Sequence, residues 1–344
     1  MKFSICIPQY NRIQYLLKSL AIIEKQTYPD IEIVISDDAS SDDTPQQIQQ
    51  LQKVYRYPII FSRNEKNMGY DRNYRKALEM ATGQYCIVLG NDDSLYSHDT
   101  IASLVQFLQQ HDYPDVGFCN FAEESNPDDI IKRAHVTGVI GSGPETALKY
   151  YSCFSFVAGI VYKKEIFDQF NSDKYDGSIY AQIALGCMMI SKGCRLFSVM
   201  EPVVLKDLQF DNRTSNSYRD TLPRKWKEYK KADGGLKSVI RVLFIVFSDS
   251  GTYTKKLGRA VFKKIYRNTL PFWILDYKYN KAFPAAMGIF MGMKPWSVDQ
   301  FSRLPFIDRV LVIGDYCIFS VTALLTPSRL FYRFKNRIYA FIKK

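Results

Sequence analysis

The sequence predicts an α/β domain built on a mostly parallel sheet with helices on both faces, followed by a basic, mainly helical C-terminal extension. Three observations predict it. Short apolar runs alternate with segments of helical spacing over the first 120 residues. The composition shifts sharply after about Ser215, where basic amphipathic segments such as KKLGRAVFKKIYRN begin. The charge also changes sign: residues 1–218 hold 21 Lys and Arg against 27 Asp and Glu, whereas residues 219–344 hold 25 against 8. An apolar fraction of 47% with 24% charged residues excludes a disordered or fibrous chain.

The elements follow in order. Phe3–Ile7 is an apolar run stopped by Pro8, and reads as a buried strand. Tyr15–Gln26 has helical spacing, Ile31–Ser36 is a second strand, and Thr44–Tyr55 is a polar-faced helix. Pro58–Ser62 is a third strand. Tyr70–Ala81 is a helix that Gly83 is expected to close as a C-cap. Tyr85–Leu89, Asp99–Gln110 and Val116–Phe121 continue as strand, helix and strand. In such a sheet, ligands bind at the carboxyl ends of the strands, so the loops after the first, second and fourth strands are where chemistry is sought. The pattern loosens from Glu123 to Ser142. It resumes with an apolar run over Tyr150–Tyr162, a helix over Ile179–Ser191 and a strand over Arg195–Val204 interrupted by Pro202. The division expected is 1–215, with a donor half to 120 and an acceptor half from 121, and then 216–344.

Composition narrows the partners. Aromatic residues reach 15%, which fits an aromatic core and also carbohydrate or membrane-interface contact. The basic rear seeks something anionic, a membrane surface or nucleic acid. It lacks zinc-finger spacing and RNP-like signatures, and its cations interleave with Phe, Trp, Leu and Ile, which favours the membrane and argues against nucleic acid. Thr254–Lys281 and Val310–Lys344 are expected to lie on an anionic leaflet, with Leu257, Val261, Phe262 and Ile265 between the cations. The apolar run Val310–Leu325 contains Asp315 and falls short of the roughly twenty residues a membrane-crossing helix needs. Seven cysteines sit singly, with no CxxC and only three histidines, which argues against a zinc site and for reduced thiols in a cytosolic compartment. No leader is expected ahead of the FSICI strand.

Three loops carry the chemistry. Pro8, Tyr10, Asn11 and Arg12 leave the first strand, offering a ring that can stack a nucleobase. Asp37 and Asp38 end the second strand, where carboxylates need donors or a cation. They can accept a base N–H or ribose hydroxyls. Asn91, Asp92 and Asp93 follow the fourth strand as hard oxygen ligands suited to Mn²⁺ or Mg²⁺ bridged to phosphate. Between them, Gly69 precedes Arg72, Asn73 and Arg75 at a helix N-terminus, an anion-friendly place.

Pro8-x-Tyr10-Asn11, Asp37-Asp38-x-Ser40-x-Asp42-x-Thr44, Asn67-x-Gly69 with Arg72-Asn73, and the Asp92-Asp93 variant of a DxD motif together resemble the family 2 inverting glycosyltransferases. The resemblance covers about residues 1–120 and implies the GT-A fold, a Rossmann-like nucleotide-diphospho-sugar transferase. By that likeness Tyr10 stacks on the base, Asp38 takes the base N–H, Asp93 binds the metal, Asp92 supports the sugar or ribose, and Arg72 and Asn73 serve the diphosphate. Many relatives carry a Glu-Asp pair about a dozen residues before a glycine, its Asp being the catalytic base. Counted back from Gly193, that pair falls on Ala181 and Gln182. Gln182 cannot take a proton, which moves the expected base to Asp176, with Asp207 or Asp211 next. The function expected is transfer of a sugar from a nucleotide-diphospho-sugar to a saccharide or lipid-linked acceptor, with inversion, at the inner face of the plasma membrane. Two rivals remain. A sugar-phosphate nucleotidyltransferase would normally show a glycine-rich basic loop, which PQYNR is not; the other rival is a basic-tailed nucleic-acid-binding protein.

Overall fold

The computed structural model describes residues 1–210, 213–214, 233 and 235–343. Two compact units divide the chain, Met1–Ser215 and Asn216–Lys344.

In the first unit, β1 (Phe3–Gln9), β2 (Ile31–Asp37), β3 (Ile59–Arg63) and β4 (Tyr85–Val88) form the parallel block predicted from the apolar runs. β1 pairs in parallel with both β2 and β4, and β2 pairs with β3. Helices α1 (Ile13–Ile23), α2 (Thr44–Leu51), α3 (Tyr70–Glu79) and α4 (Thr100–Gln110) alternate with these strands. The strand period of two separates the faces. Phe3, Ile5 and Ile7 join Leu16, Leu20 and Ile23 of α1 and Leu104 and Leu108 of α4 in one core. Helix α3 packs on β1 and β2 with Tyr74, Ala77 and Leu78 buried.

The remaining strands are β5 (Ser94–Leu95), β6 (Val116–Glu123), β7 (Asn126–Ile131), β8 (Gly138–Gly141), β9 (Ile160–Lys163) and β10 (Leu196–Lys206). The sheet order is β3-β2-β1-β4-β9-β6-β10-β5. The loosened stretch from Glu123 is thus two strands, with β7 antiparallel to β6 and β8 antiparallel to β10. The expected apolar run of 150–162 is a single-turn helix, Tyr151–Phe154, and then β9, which slots antiparallel between β4 and β6. Pro202 sits at a register shift of β10 against β6, the place where a sheet tolerates a residue lacking N–H. Helices α5 (Gly143–Tyr150), α6 (Lys164–Phe170) and α7 (Ala181–Ser191) complete the unit.

Gly83 is not a C-cap. α3 ends at Glu79, and a Cβ at Gly83 would sit 2.5 Å from Ser4 Oγ and 2.9 Å from the Lys2 carbonyl. The glycine is there for close approach to β1. Its N–H donates to Ser4 Oγ at 2.9 Å and to Glu32 Oε1 at 3.2 Å. Glu32 is fully buried and also accepts from Ser4 Oγ, from the Thr82 N–H and hydroxyl, and from Lys2 Nζ at 2.5 Å. Burial raises its proton affinity, but the bonds from Lys2, Ser4 and Thr82 outweigh it and hold the carboxyl down at about 2. The folded value lies below the unfolded one. The stabilisation is therefore complete above about pH 4.5 and is lost as the pH falls through about 2. Glu32→Ala is expected to cost about 3 kcal/mol at neutral pH. Denaturant titrations of parent and variant should converge as the pH drops across that window, and a gap that persists at its acid end would count against this reading.

The second unit is helical over its described residues: α8 (Leu236–Asp249), α9 (Lys255–Lys264), a π turn over Ile265–Thr269, α10 (Leu270–Tyr279), α11 (Phe283–Gly292), α12 (Phe306–Leu325) and α13 (Ser328–Lys343). Among the described residues, no helix is long and apolar enough to cross a membrane. One expectation is corrected here. Leu257, Val261, Phe262 and Ile265 are buried in this unit's own core, with Phe262 stacked on Tyr266 and edge-on to Phe244 and Phe301. These four side chains are thus spent internally, while Lys255, Lys256, Lys263 and Arg267 stay exposed, so any contact of Thr254–Lys281 with a leaflet is made by its cations and not by these apolar residues.

Candidate active site

The strand order reverses at β1, with β2 on one side and β4 on the other, so a crevice opens at the carboxyl ends of these strands. Gln9, the last residue of β1, is fully buried and ties the crevice together. Its amide donates to the Asn11 carbonyl at 2.6 Å and to Thr44 Oγ1 at 2.9 Å, and its Oε1 accepts from Asn91 Nδ2 at 2.9 Å. One side chain thereby couples the loops that follow β1, β2 and β4. After Pro8 and Gln9 the chain turns sharply. Asn11 and Arg12 both take positive φ, 55° and 62°, a costly pair for residues other than glycine. Local bonds hold it: Asn11 N–H donates to Ser40 Oγ at 2.7 Å, Asn11 Oδ1 accepts from the Ser41 N–H at 2.9 Å, and Ile13 N–H donates to Asp42 at 2.9 Å. The turn leaves Tyr10 48% exposed at the rim, with its ring free to stack.

The two carboxylates after β2 have different uses. Asp37 is fully buried, accepts from Ser40 and pairs with Arg63 at 3.4 Å. Burial pushes its proton affinity up against those donors. It shapes the loop and is closed to a donor molecule. Asp38 accepts at Oδ1 from Asn64 Nδ2 (2.8 Å) and the Met68 N–H (2.7 Å), and at Oδ2 from the Gly69 N–H (3.0 Å). A carboxylate has about four acceptor positions, so Asp38 Oδ2 keeps capacity for one more donor. Gly69 itself has φ 86° at the N-terminus of α3.

After β4 the carboxylates of Asp92 and Asp93 converge over Gly90. A Cβ at Gly90 would lie 2.6 Å from Asp93 Oδ2 and 3.0 Å from Asp92 Oδ1. Both oxygens therefore crowd one point that only glycine leaves open. Asp93 is 4% exposed. Its proton affinity is driven well above the carboxylate range, first by burial and then by the charge of Asp92. Asp92 pairs with Arg12 at 3.2 Å. The end of β10 closes this turn from above: Asp207 N–H donates to Asp93 Oδ1 at 3.1 Å and Leu208 N–H to the Asp92 carbonyl at 2.9 Å. Lys206 follows with an ion pair to Asp207 at 2.8 Å and another to Glu123 at 3.6 Å, its ammonium over the rings of Phe121 and Phe156. Among the described residues no three His, Cys, Asp or Glu side chains form a self-sufficient metal cage. Two carboxylates of which one is buried against a like charge fit a divalent cation that completes its shell with substrate phosphate and water.

Helix α3 is used otherwise than its sequence suggests. Asn73 is buried, donating from Nδ2 to the Gln9 carbonyl at 3.1 Å and accepting from Ser36 Oγ at 2.7 Å. It stitches β1 to β2 with one of its two amide N–H groups and its carbonyl. Arg72 reaches Glu79 at 3.1 Å, two turns toward the helix C-terminus and away from the crevice. Asp176, the expected base, is gripped at both oxygens by Arg75, Nε to Oδ1 at 2.8 Å and NH2 to Oδ2 at 2.7 Å. Arg75 is 2% exposed and also bonds Glu79 and Asn171. Asp71, on the same helix, accepts from the Ile179 and Ala181 N–H groups at 2.7 and 3.1 Å. Together Asp71 and Arg75 moor the 176–181 loop to α3, and Asp176 is a mooring post. Gln182 is buried with Oε1 unpartnered. Asp211 lies outside the described residues.

The model of the family described as glycosyl transferase family 2 matches residues 4–181, just over half of the chain. The chain belongs to glycosyl transferase family 2. The family 2 segment runs from the second residue of β1 through β9 to the first residue of α7. Among curated relatives, the abequosyltransferase RfbV of Salmonella typhimurium is 32% identical over 222 residues, 60% of this chain and 66% of that protein. The GalNAc(5)-diNAcBac-PP-undecaprenol beta-1,3-glucosyltransferase of Campylobacter jejuni is 33% identical over 125 residues, 36% of this chain and 40% of that protein. The alignments thus span 66% and 40% of these relatives' lengths. Among solved structures, S. aureus TarS 1–349 in complex with UDP-GlcNAc superposes with a TM-score of 0.53 at 14% identity, covering 86% of this chain and 91% of that one. The family 2 fold is shared with it.

Reading the sequence of this family 2 protein did not find Gln9, Gly90, Glu123 or Lys206. Gln9 had a signal, a polar amide at the buried end of an apolar strand. Gly90 had one too, a glycine immediately ahead of an acidic turn. Lys206 and Glu123 had none, because each reaches the site only through the pairing of β10 with β6.

Proposed function

We propose that this protein transfers a sugar from a nucleotide-diphospho-sugar to an acceptor hydroxyl with inversion, using Mn²⁺ or Mg²⁺, in the assembly of a surface polysaccharide. The observation that carries this reading is the convergence of Asp92 and Asp93 over Gly90 beside the exposed Tyr10 and the buried Asp38. Tyr10 stacks the base and Asp38 Oδ2 takes its N–H. Asp93 and Asp92 hold the cation, which when bound supplies positive charge to the departing nucleoside diphosphate. Lys206 adds a fixed cation of the chain's own beside Asp207, alongside Arg72, whose ion pair with Glu79 lies at the surface and can yield to a diphosphate. Asp207, whose N–H donates to Asp93 and whose carboxylate pairs with Lys206 at 2.8 Å, stands beside the acidic turn and is assigned the acceptor proton, with Asp176 on the α3-moored loop as the alternative. Residues 1–120 serve the donor and 121–215 the acceptor, with Lys206 reaching back to the donor side. A lipid-linked saccharide is the acceptor class that the name of the Campylobacter relative supports, and the inner face of the plasma membrane is where this reading places it.

Thermal-shift screening of UDP-, GDP- and dTDP-sugars with Mn²⁺ tests the donor. One nucleotide class should stabilise the protein, and turnover should release nucleoside diphosphate. Release of inorganic pyrophosphate would give the site to a nucleotidyltransferase. Tyr10→Ala should weaken nucleotide binding by about 1–3 kcal/mol, the worth of one base stack, without lowering the melting temperature of the free protein. Unchanged affinity by calorimetry would remove Tyr10 from the site.

A further inference from the structure

Helix α12 is turned inside out. Every exposed residue along its 20 positions is uncharged. Ile307, Leu311, Ile318 and Leu325 recur at helical spacing on that face, with Val310 and Val321 beside them, and all six are between 43% and 77% exposed. The charged residues of α12 are used elsewhere: Asp308 pairs with Arg259 at 3.2 Å, Asp315 with Arg267 at 2.8 Å, and Arg309 donates to the Leu304 carbonyl at 3.0 Å. Buried Val312, Tyr316 and Ala323 seat the opposite side on the rest of the unit. Lys278 donates to the Ala323, Leu324 and Thr326 carbonyls and fixes the C-terminal end. At 1.5 Å per residue the bare face is about 30 Å long, far more apolar surface than a soluble helix leaves uncovered.

What covers it is indicated by charge. Helix α13 exposes Leu330 and Phe334 among Arg329, Arg333 and Arg337, which are exposed as well. Trp296, 61% exposed, stands edge-on to Tyr316 behind the face. Residues 219–344 carry 25 Lys and Arg against 8 Asp and Glu. A second copy would bring the same surplus of cations to the contact, and like charges would oppose it. An anionic bilayer answers both features, with hydrocarbon for the apolar face and headgroups for the arginines. We propose that α12 lies in the plane of an anionic membrane surface with its Ile307–Leu325 face immersed, and that the arginines of α13 engage the lipid headgroups. The inference rests on the surface of the second unit and is independent of the reaction assigned to the first.

The test uses the full chain with vesicles of phosphatidylcholine alone or mixed equally with phosphatidylglycerol. The parent protein should float with the anionic vesicles and much less with the neutral ones. Leu311→Glu with Ile318→Glu, both at exposed positions, should reduce anionic binding by about tenfold or more, and Arg329→Gln with Arg333→Gln should reduce its salt sensitivity. Cys317, an exposed thiol on the same face, gives a readout without mutation. An environment-sensitive fluorophore placed on it should blue-shift when vesicles are added. A parent protein that stays in the aqueous phase, undiminished flotation of the double glutamate variant, or an unshifted fluorophore would overturn the proposal. A dimer seen by light scattering and dissolved by the same two glutamates, with no flotation, would assign the face to a second copy. Donor turnover measured on the same samples reports separately on the first unit.

Discussion

Asp93→Asn is expected to abolish cation-dependent sugar transfer and leave the fold at least as stable as before. Asp93 is buried beside Asp92, and that burial is costly without a cation. An asparagine keeps the volume, and its Oδ1 can still accept from the Asp207 N–H. What it lacks is the charge. Removing a preorganised charge from such a site costs about 10²–10³ in turnover. The melting temperature of the variant should equal or exceed the parent's, because a desolvated carboxylate has gone. Mn²⁺ titration by calorimetry in the presence of the donor nucleotide should lose its heat. Transfer at the parent's rate, or a variant that fails to fold, would take Asp93 out of the role proposed for it.

Asp207→Asn and Asp176→Asn should fail in different ways. If Asp207 receives the acceptor proton, its amide variant binds donor with the parent's affinity and loses about 10²–10⁴ in transfer, a loss larger than the modest drop in melting temperature from breaking its pair with Lys206 accounts for. Asp176→Asn breaks a bidentate pair whose arginine is almost wholly buried. That should cost about 3 kcal/mol of stability. Transfer should fall with it, as the 176–181 loop loses half of its mooring to α3. Reading stability, donor affinity and transfer on the same two variants separates the cases. An Asp176→Asn protein that melts and binds donor like the parent but cannot transfer would return the base to Asp176.

The parallel half of the sheet was legible because its physics is local. Apolar runs such as FSICI and IEIVIS bury on both faces, and nothing distant is needed to recognise them. The acidic turns were legible for a related reason, since carboxylates ending an apolar strand ask for a partner wherever the chain goes. What stayed hidden depends on partners far along the chain. Asn73 read as a diphosphate ligand alone, and its bonds to Gln9 and Ser36 could not be seen in sequence. Asp176 looked free until Arg75, 101 residues earlier, took both of its oxygens. Gly83 reads as a helix stop in sequence and is a close approach to β1 in space. The basic tail misled by half. Its amphipathic pattern is real, but the apolar side of α9 faces inward, while on α12 an apolar face remains outside.

The place of β9 dictates an order of events during synthesis. β1 to β4 are complete once Val88 has emerged, and β6 once Glu123 has. Neither β4 nor β6 can be closed until Ile160–Lys163 arrives to lie between them. For the intervening stretch of translation the nascent chain carries unpaired, apolar edges on β4 and on both sides of β6, whose other partner β10 arrives later still, the kind of surface that recruits other chains or a chaperone. A ribosome pausing between β6 and β9 would prolong that exposure. A fragment ending near residue 120 would keep it permanently, so cutting the gene at the apparent midpoint of the catalytic unit should yield aggregate instead of a donor-binding domain.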